Sequence, residues 1–226
     1  MRYTHILFDL DGTLTDPKPG IFNCIRHALV KMGREAGESD SWERYIGPPL
    51  LDSFAELLQT RDMTQAQQAL EIYRERFSRS GLFENRVYAG VPPLLAELTR
   101  QGGTLYVATS KPRVFARRII DHFQLNPYFS KVYGSELDGT RVEKADLISH
   151  ILAMEKLPRQ QTVMIGDRKY DVTGAKAAGL PAAGVLWGYG SRQELDAAGA
   201  DWLCSAPAGL LNICVHGGCS SSTSTH

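Results

Sequence analysis

Short apolar runs alternate with helical patterns along most of this chain, and that rhythm limits its fold more than any single residue does. HILFD (5–9), TLYVAT (104–109), KVYG (131–134), TVMIG (162–166) and AAGVLW (182–187) read as strands. Between the last four lie helical segments: KPRVFARRIIDHF from 111, EKADLISHILAMEK from 143 and DVTGAKAAG from 171. Repeated βα units of this kind predict an α/β fold, a parallel sheet covered by helices.

One interval breaks the rhythm. Between the first strand and the second, residues 10–103 hold no comparable run, yet Ile21, Ile25, Ala28, Leu29 and Met32 recur at helical spacing. TQAQQALEIYRERFSRS (64–80) predicts another helix, with Thr64 as its cap. A structureless loop of that length does not suit a compact domain, so residues 17–85 are expected to form an inserted all-helical subdomain. VPPLLAELTRQG then returns the chain to the core as a helix with Pro in its first turn. The core comprises 1–16 and 86–206, followed by a terminal segment, 207–226. In that segment PAGLLNIC can form a short helix, and the low-complexity VHGGCSSSTSTH is expected to be disordered.

Charge excludes one class of partner. Lys plus Arg total 25 and Asp plus Glu total 25, so nothing in the balance points to a nucleic-acid polymer. Residues 34–84 carry six Arg and ten acidic residues, whereas KPRVFARR holds four cations within 111–118; both runs read as solvated helix faces. No apolar run approaches the roughly 20 residues of a membrane span. The N-terminus is already strand and motif, which makes a cytoplasmic location the expectation. Cys24, Cys204, Cys214 and Cys219 are expected to be reduced thiols, CVHGGC being too poor in ligands for a zinc site.

Chemistry gathers at the strand tips. In an open parallel sheet, ligands bind beyond the carboxyl ends of the strands, where strand order reverses. Asp9, Thr109 and Asp167 each end or follow a strand, and Lys144 begins a helix just beyond another. Clustered carboxylates repel one another unless a cation intervenes. Mg2+ suits them, because it takes oxygen ligands and commonly sits between carboxylates and a substrate phosphate. Asp9, Asp167 and the main chain at Asp11 are the expected metal ligands, with Asp171 orienting metal waters from one helical turn on. A free oxygen of Asp9 is placed to attack phosphorus and form an aspartyl phosphate. Lys144, the Thr109 hydroxyl and the Ser110 amide are expected to hold the phosphoryl oxygens, and Asp11 to act as general acid and then base.

DLDGTLTD, VATSK, Lys144 in RVEKAD and IGDRKYD, in that order, resemble the four motifs of the haloacid-dehalogenase superfamily of phosphohydrolases. The likeness spans about residues 4–206 and lies within the phosphoglycolate phosphatase-like branch. It implies a Rossmann-like, doubly wound parallel-sheet core, a mobile helical cap inserted after the first motif, and a Mg-dependent phosphomonoester hydrolase. It also implies Asp9 as nucleophile, Asp11 as acid/base, Thr109 and Lys144 as phosphate ligands, and Asp9, Asp11 and Asp167 as metal ligands. Many relatives carry Lys-Pro where this chain has Lys144-Ala145. Lys111 is the rival lysine, expected to point away or to serve the substrate.

Substrate choice falls to the cap. YIGPPLLDSF resembles the cap loop of phosphoglycolate phosphatases, which implies that the segment 46–50, with Gly47 and Pro48, faces the phosphate site when the cap closes; Lys18 and Arg44 are candidate contacts for a substrate anion. A small phosphorylated acid needs such a cation; a nucleoside monophosphate needs stacking, for which Trp42, Tyr45 and Phe54 are available. The leading expectation is a phosphoglycolate-like substrate, the alternative a 5'-nucleotidase. Phosphomutase chemistry and a non-enzymatic phospho-acceptor switch are more distant. Trp187 and Tyr189 are expected either at the site rim or in loop packing.

Overall fold

The computed structural model describes residues 1–35 and 39–218. Its elements are β1 (His5–Phe8), β2 (Thr15–Asp16), α1 (Lys18–Lys31), α2 (Leu50–Leu57), α3 (Met63–Arg79), β3 (Arg86–Val87), α4 (Val91–Arg100) and β4 (Thr104–Pro112). After these come α5 (Arg113–His122), β5 (Phe129–Ser135), α6 (Lys144–Glu155), β6 (Thr162–Gly166), α7 (Lys169–Ala177), β7 (Ala182–Val185), α8 (Arg192–Ala197), β8 (Trp202–Cys204) and α9 (Pro207–His216).

Six strands form one sheet in the order β5-β4-β1-β6-β7-β8, every pairing parallel. The chain first winds outward from β1 through β4 to β5, then crosses back to β6 and winds the other way. Strand order therefore reverses at β1, flanked by β4 and β6. Both faces are buried, which is why these strands read as continuous apolar runs. Ile6 and Phe8 of β1, Leu105 and Val107 of β4, and Val163 and Ile165 of β6 enter one core cluster. Leu7, Tyr106, Ala108 and Met164, pointing the other way, enter the second.

The long interval holds α1, α2 and α3, bracketed by a two-stranded antiparallel ribbon that pairs Thr15 with Val87 and Asp16 with Arg86. Aromatic side chains join α2, α3 and the core. Phe54 meets Tyr73 edge-on at 5.9 Å, Tyr73 stacks on Phe77 at 5.4 Å, and Phe77 reaches Phe115 of α5 at 5.4 Å. The cap of α3 differs from expectation: Asp62, in an extended conformation, accepts from Thr64 N at 2.9 Å, leaving Thr64 inside the first turn.

The C-terminal segment is also more ordered than expected. Leu210, Ile213 and Cys214 of α9 are buried, and the N–H groups of Arg2 and Tyr3 donate to Val215 O and Cys214 O. Residues Val215–Gly218 of the stretch expected to be disordered are thus described, and 219–226, with Cys219, lie outside the described residues. Cys24, Cys204 and Cys214 are buried and form no disulfide among the described residues. Among those residues, too, no helix is long and apolar enough to cross a membrane.

Candidate active site

Three adjacent strand ends build the site. Asp9 follows β1 and donates its N–H to Ile165 O of β6 at 2.9 Å, which locks it beside the neighbouring tip. Thr109 sits in β4, where the register with β5 slips before Pro112, and its hydroxyl accepts from Lys111 N at 3.2 Å. Ser110 accepts from the Ser135 hydroxyl through its carbonyl at 2.7 Å. Asp167 follows β6 and is fully buried.

Lys144, at the start of α6, reaches into the middle of this group. Its ammonium donates to Asp9 Oδ1 and to Ala108 O, both at 2.8 Å, and forms an ion pair with Asp171 Oδ1 at 2.7 Å. Burial alone would discharge it, but Asp171 and Asp9 outweigh that cost and hold its pKa above the ordinary lysine value. Asp171 lies in the first turn of α7, accepting from Arg168 N at 3.1 Å. Burial pushes its pKa up to about 6, against the pull of Lys144.

Asp167 is held at both oxygens: the Thr13 hydroxyl donates to Oδ1 at 3.2 Å and Tyr189 N to Oδ2 at 2.8 Å. Burial, followed by the charges of Asp9 and Asp171, drives its pKa well above the carboxylate range. The loop carrying Asp11 passes so close that a Cβ on Gly12, whose φ is +87°, would lie 2.2 Å from Asp167 Oδ2. Asp11 pairs with Lys111 at 2.6 Å through Oδ2, while its buried Oδ1 has no hydrogen-bond partner among the described residues. Burial raises the Asp11 pKa despite Lys111.

Lys111 therefore does not point away. Its side chain is only 8% exposed, gripped between Asp11 and the ring of Phe77, whose centroid is 4.4 Å from Nζ. A cavity of about 360 Å³ opens over this group. Its lining includes Asp9, Asp11, Thr109, Ser110 and Lys144 together with Tyr45, Gly47, Pro48, Tyr73, Arg74 and Phe77.

The expected anion contacts fall elsewhere. Lys18 pairs with Glu43, and Arg44 with Glu56 and the Tyr45 hydroxyl, both at 2.7 Å; neither lines the cavity. Each finds a partner near the surface at less desolvation cost than a buried position would demand. Of the aromatics expected for stacking, Tyr45 lines the cavity, whereas Trp42 and Phe54 are buried in the core and do not. Trp187 and Tyr189 pack: the indole donates to Thr13 O at 3.0 Å, and the Tyr189 hydroxyl donates to Asp16.

The family model of haloacid dehalogenase-like hydrolases matches residues 6–185. The chain belongs to that family. It is 47% identical over 215 residues to a 5'-nucleotidase of Pseudomonas aeruginosa, covering 94% of this chain and 96% of that one. It is 40% identical over 192 residues to the tyrosine-protein kinase PtkA of Mycobacterium tuberculosis, covering 84% of this chain but 65% of that relative. A phosphoglycolate phosphatase of Pseudomonas fluorescens is more distant, at 29% over 190 residues, with 81% and 70% of the two chains covered. Among solved structures, a predicted phosphatase from Clostridium acetobutylicum superposes with a TM-score of 0.88 at 41% identity, over 93% of this chain and 97% of that one. The chain is a phosphatase of the haloacid dehalogenase-like family.

Such phosphatases generally use a divalent metal, and the residues present fit one. Asp9, Asp167 and Asp171 are all buried and each offer an oxygen, the three atoms lying within 4.8 Å of one another. Three hard oxygen donors with a single lysine between them leave negative charge that a small divalent cation would offset. Sequence reasoning missed the aromatic wall of α3, Arg74 and Arg168. Arg168 follows Asp167 directly and spans from Glu194, at 2.9 Å, to the carbonyl of Ile46 in the loop before α2. Its place inside IGDRKYD was the available signal.

Proposed function

We propose that this phosphatase hydrolyses nucleoside 5'-monophosphates through an aspartyl-phosphate intermediate, with residues 17–85 acting as a cap over the core formed by 1–16 and 86–206. The observation that carries the substrate reading is the aromatic part of the cavity lining. It includes Tyr45, Tyr73, Phe77 and Phe115, an apolar aromatic lining suited to a nucleoside and more than a two-carbon acid needs. The 47% likeness to a 5'-nucleotidase supports the same reading.

In this reading Lys144 fixes Asp9 Oδ1, so the second oxygen is directed at phosphorus. Bond formation from Asp9 to phosphorus accompanies cleavage of the ester P–O bond, and protonated Asp11 delivers its proton to the departing 5'-oxygen. Burial raises the Asp11 pKa and so favours the protonated form that this step requires. A water then attacks the phosphoryl group, Asp11 takes the water's proton, and the P–O bond to Asp9 breaks, returning both carboxyl groups to their starting states. Lys144, the Thr109 hydroxyl and Ser110 hold the phosphoryl oxygens. Mg2+, held by Asp9, Asp167 and the main chain at Asp11 with Asp171 behind them, would supply charge neutralisation for the carboxylates and the phosphoryl group. Arg168, bonded to Ile46 O, ties the cap loop to the core and helps exclude water.

The test is phosphate release from a panel of nucleoside monophosphates and phosphoglycolate, in Mg2+ and in EDTA. Mg-dependent release from the nucleotides is expected. Release from phosphoglycolate alone would transfer the assignment to small phosphorylated acids.

A further inference from the structure

Among the described residues, the cavity wall formed by α3 carries a cation that the chain itself leaves unused. Gln67, Leu70, Arg74 and Phe77 recur along one face of the helix and all line the cavity. Lys111 is occupied by Asp11, and Arg168 by Glu194 and Ile46. Arg74 differs from both: among the described residues Glu71 is the carboxylate whose charge bears on it, and no hydrogen bond or ion pair engages its guanidinium. Glu71 itself accepts from Gln67 at 3.1 Å. Burial lowers the Arg74 pKa, as expected for a guanidinium held partly out of water without a bonded counter-ion. A half-buried group in that condition gains most from a ligand that replaces its lost hydrogen bonds.

We infer that Arg74 is the residue that reads the base, and that it selects nucleotides bearing an oxo group, such as IMP, GMP and UMP, over their amino counterparts AMP and CMP. This rests on the nucleotide reading above. Guanidinium nitrogens only donate. A 6-oxopurine offers O6 and N7 as adjacent acceptors that a guanidinium can bridge, whereas adenine places an amino donor beside N7 and turns donor against donor. Uracil O4 and the cytosine amino group make the same contrast. Tyr73, beside Arg74, and Phe77, one turn further along, line the same wall, so the helix that bounds a base on its apolar side would also inspect its edge.

The experiment compares kcat/KM for IMP with AMP, and for UMP with CMP, on the full chain with Mg2+, for the wild type, Arg74→Met and Arg74→Lys. The wild type is expected to prefer the oxo member of each pair by about tenfold or more, the worth of a hydrogen bond to a charged group. Arg74→Met should collapse that ratio towards one by raising KM for the oxo nucleotides, and Arg74→Lys should restore part of it. Equal hydrolysis of both members by the wild type would overturn the inference and leave the nucleotidase reading standing. So would a ratio unchanged in Arg74→Met while both rates fall together. Hydrolysis of phosphoglycolate with none of any nucleotide would overturn the nucleotidase reading and this inference with it.

Discussion

Asp9, Lys144 and Asp171 form a chain of charges in which the lysine touches both carboxylates and neither carboxylate touches solvent freely. Replacing Asp9 by Asn removes the attacking carboxylate and its charge beside Lys144, while the amide oxygen can still accept and Asp171 keeps the ammonium paired. Asp9→Asn is therefore expected to lose activity by a factor on the order of a thousand or more, measured as phosphate release, with a melting temperature close to wild type. Substantial residual turnover would remove Asp9 as the nucleophile. Asp16, outside the metal group, accepts from Tyr189, and from Arg86 at 2.7 and 3.0 Å. Burial works to raise its pKa, but these donors outweigh it and hold the carboxyl below its usual value. A depressed folded-state pKa contributes stability that is present above the unfolded value and lost as pH falls through the folded one. Asp16→Asn should thus destabilise by about 1–3 kcal/mol near neutral pH. The gap to wild type should close in acid, below about pH 4, as read by urea unfolding at several pH values. A gap independent of pH would show that the charge of Asp16 contributes nothing.

Among the elements, the turn after β1 and the loop after β6 are packed backbone against carboxylate. Gly12 has φ +87°, and a methyl there would strike all three carboxylate atoms of Asp167 within 2.7 Å. Gly12→Ala is expected to cost about 1–2 kcal/mol from the left-handed backbone alone. It should also displace Asp167 from its bonds to Thr13 and Tyr189, so activity should fall further than stability. Unfolding midpoint and phosphate release measured on one preparation check the comparison; full activity would mean that this close approach is not required. The β2–β3 ribbon and α3 serve the site differently. The ribbon gathers both ends of the helical insertion at one point, and α3 turns an aromatic face towards the strand tips.

For the whole molecule, the unfavourable contribution of the site is electrostatic. Three carboxylates lie within one buried group, and two of them, Asp167 and Asp171, have pKa values raised by burial and by neighbouring carboxylates. A divalent cation that binds the folded chain and not the unfolded one adds stability in proportion to the logarithm of its concentration over Kd. Thermal unfolding in Mg2+ should occur at a higher temperature than in EDTA, by several degrees once Mg2+ is well above its Kd. Asp167→Asn should shrink that difference. An identical midpoint in both buffers would count against a metal between these carboxylates.

The sheet is legible in the sequence, because strands buried on both faces must be continuously apolar and the helices between them amphipathic; HILF, TLYVAT and TVMIG could fold in few other ways. The shared edge of Asp9, Thr109 and Asp167 was legible for a related reason, since a parallel sheet brings all its carboxyl ends to the same side. β2, β3 and β8 were hidden, because two or three residues carry no period, whereas the short apolar stripe of PAGLLNIC marked α9. Side-chain partners beyond the motifs needed the folded chain. Whether Lys111 turns to Asp11 or Lys18 to Glu43, and whether Arg74 is left without a bonded partner among the described residues, depends on which groups distant in sequence come within a few ångströms. Local pattern fixes which face a side chain shares, but charge pairing is settled by three-dimensional proximity and by the cost of leaving water.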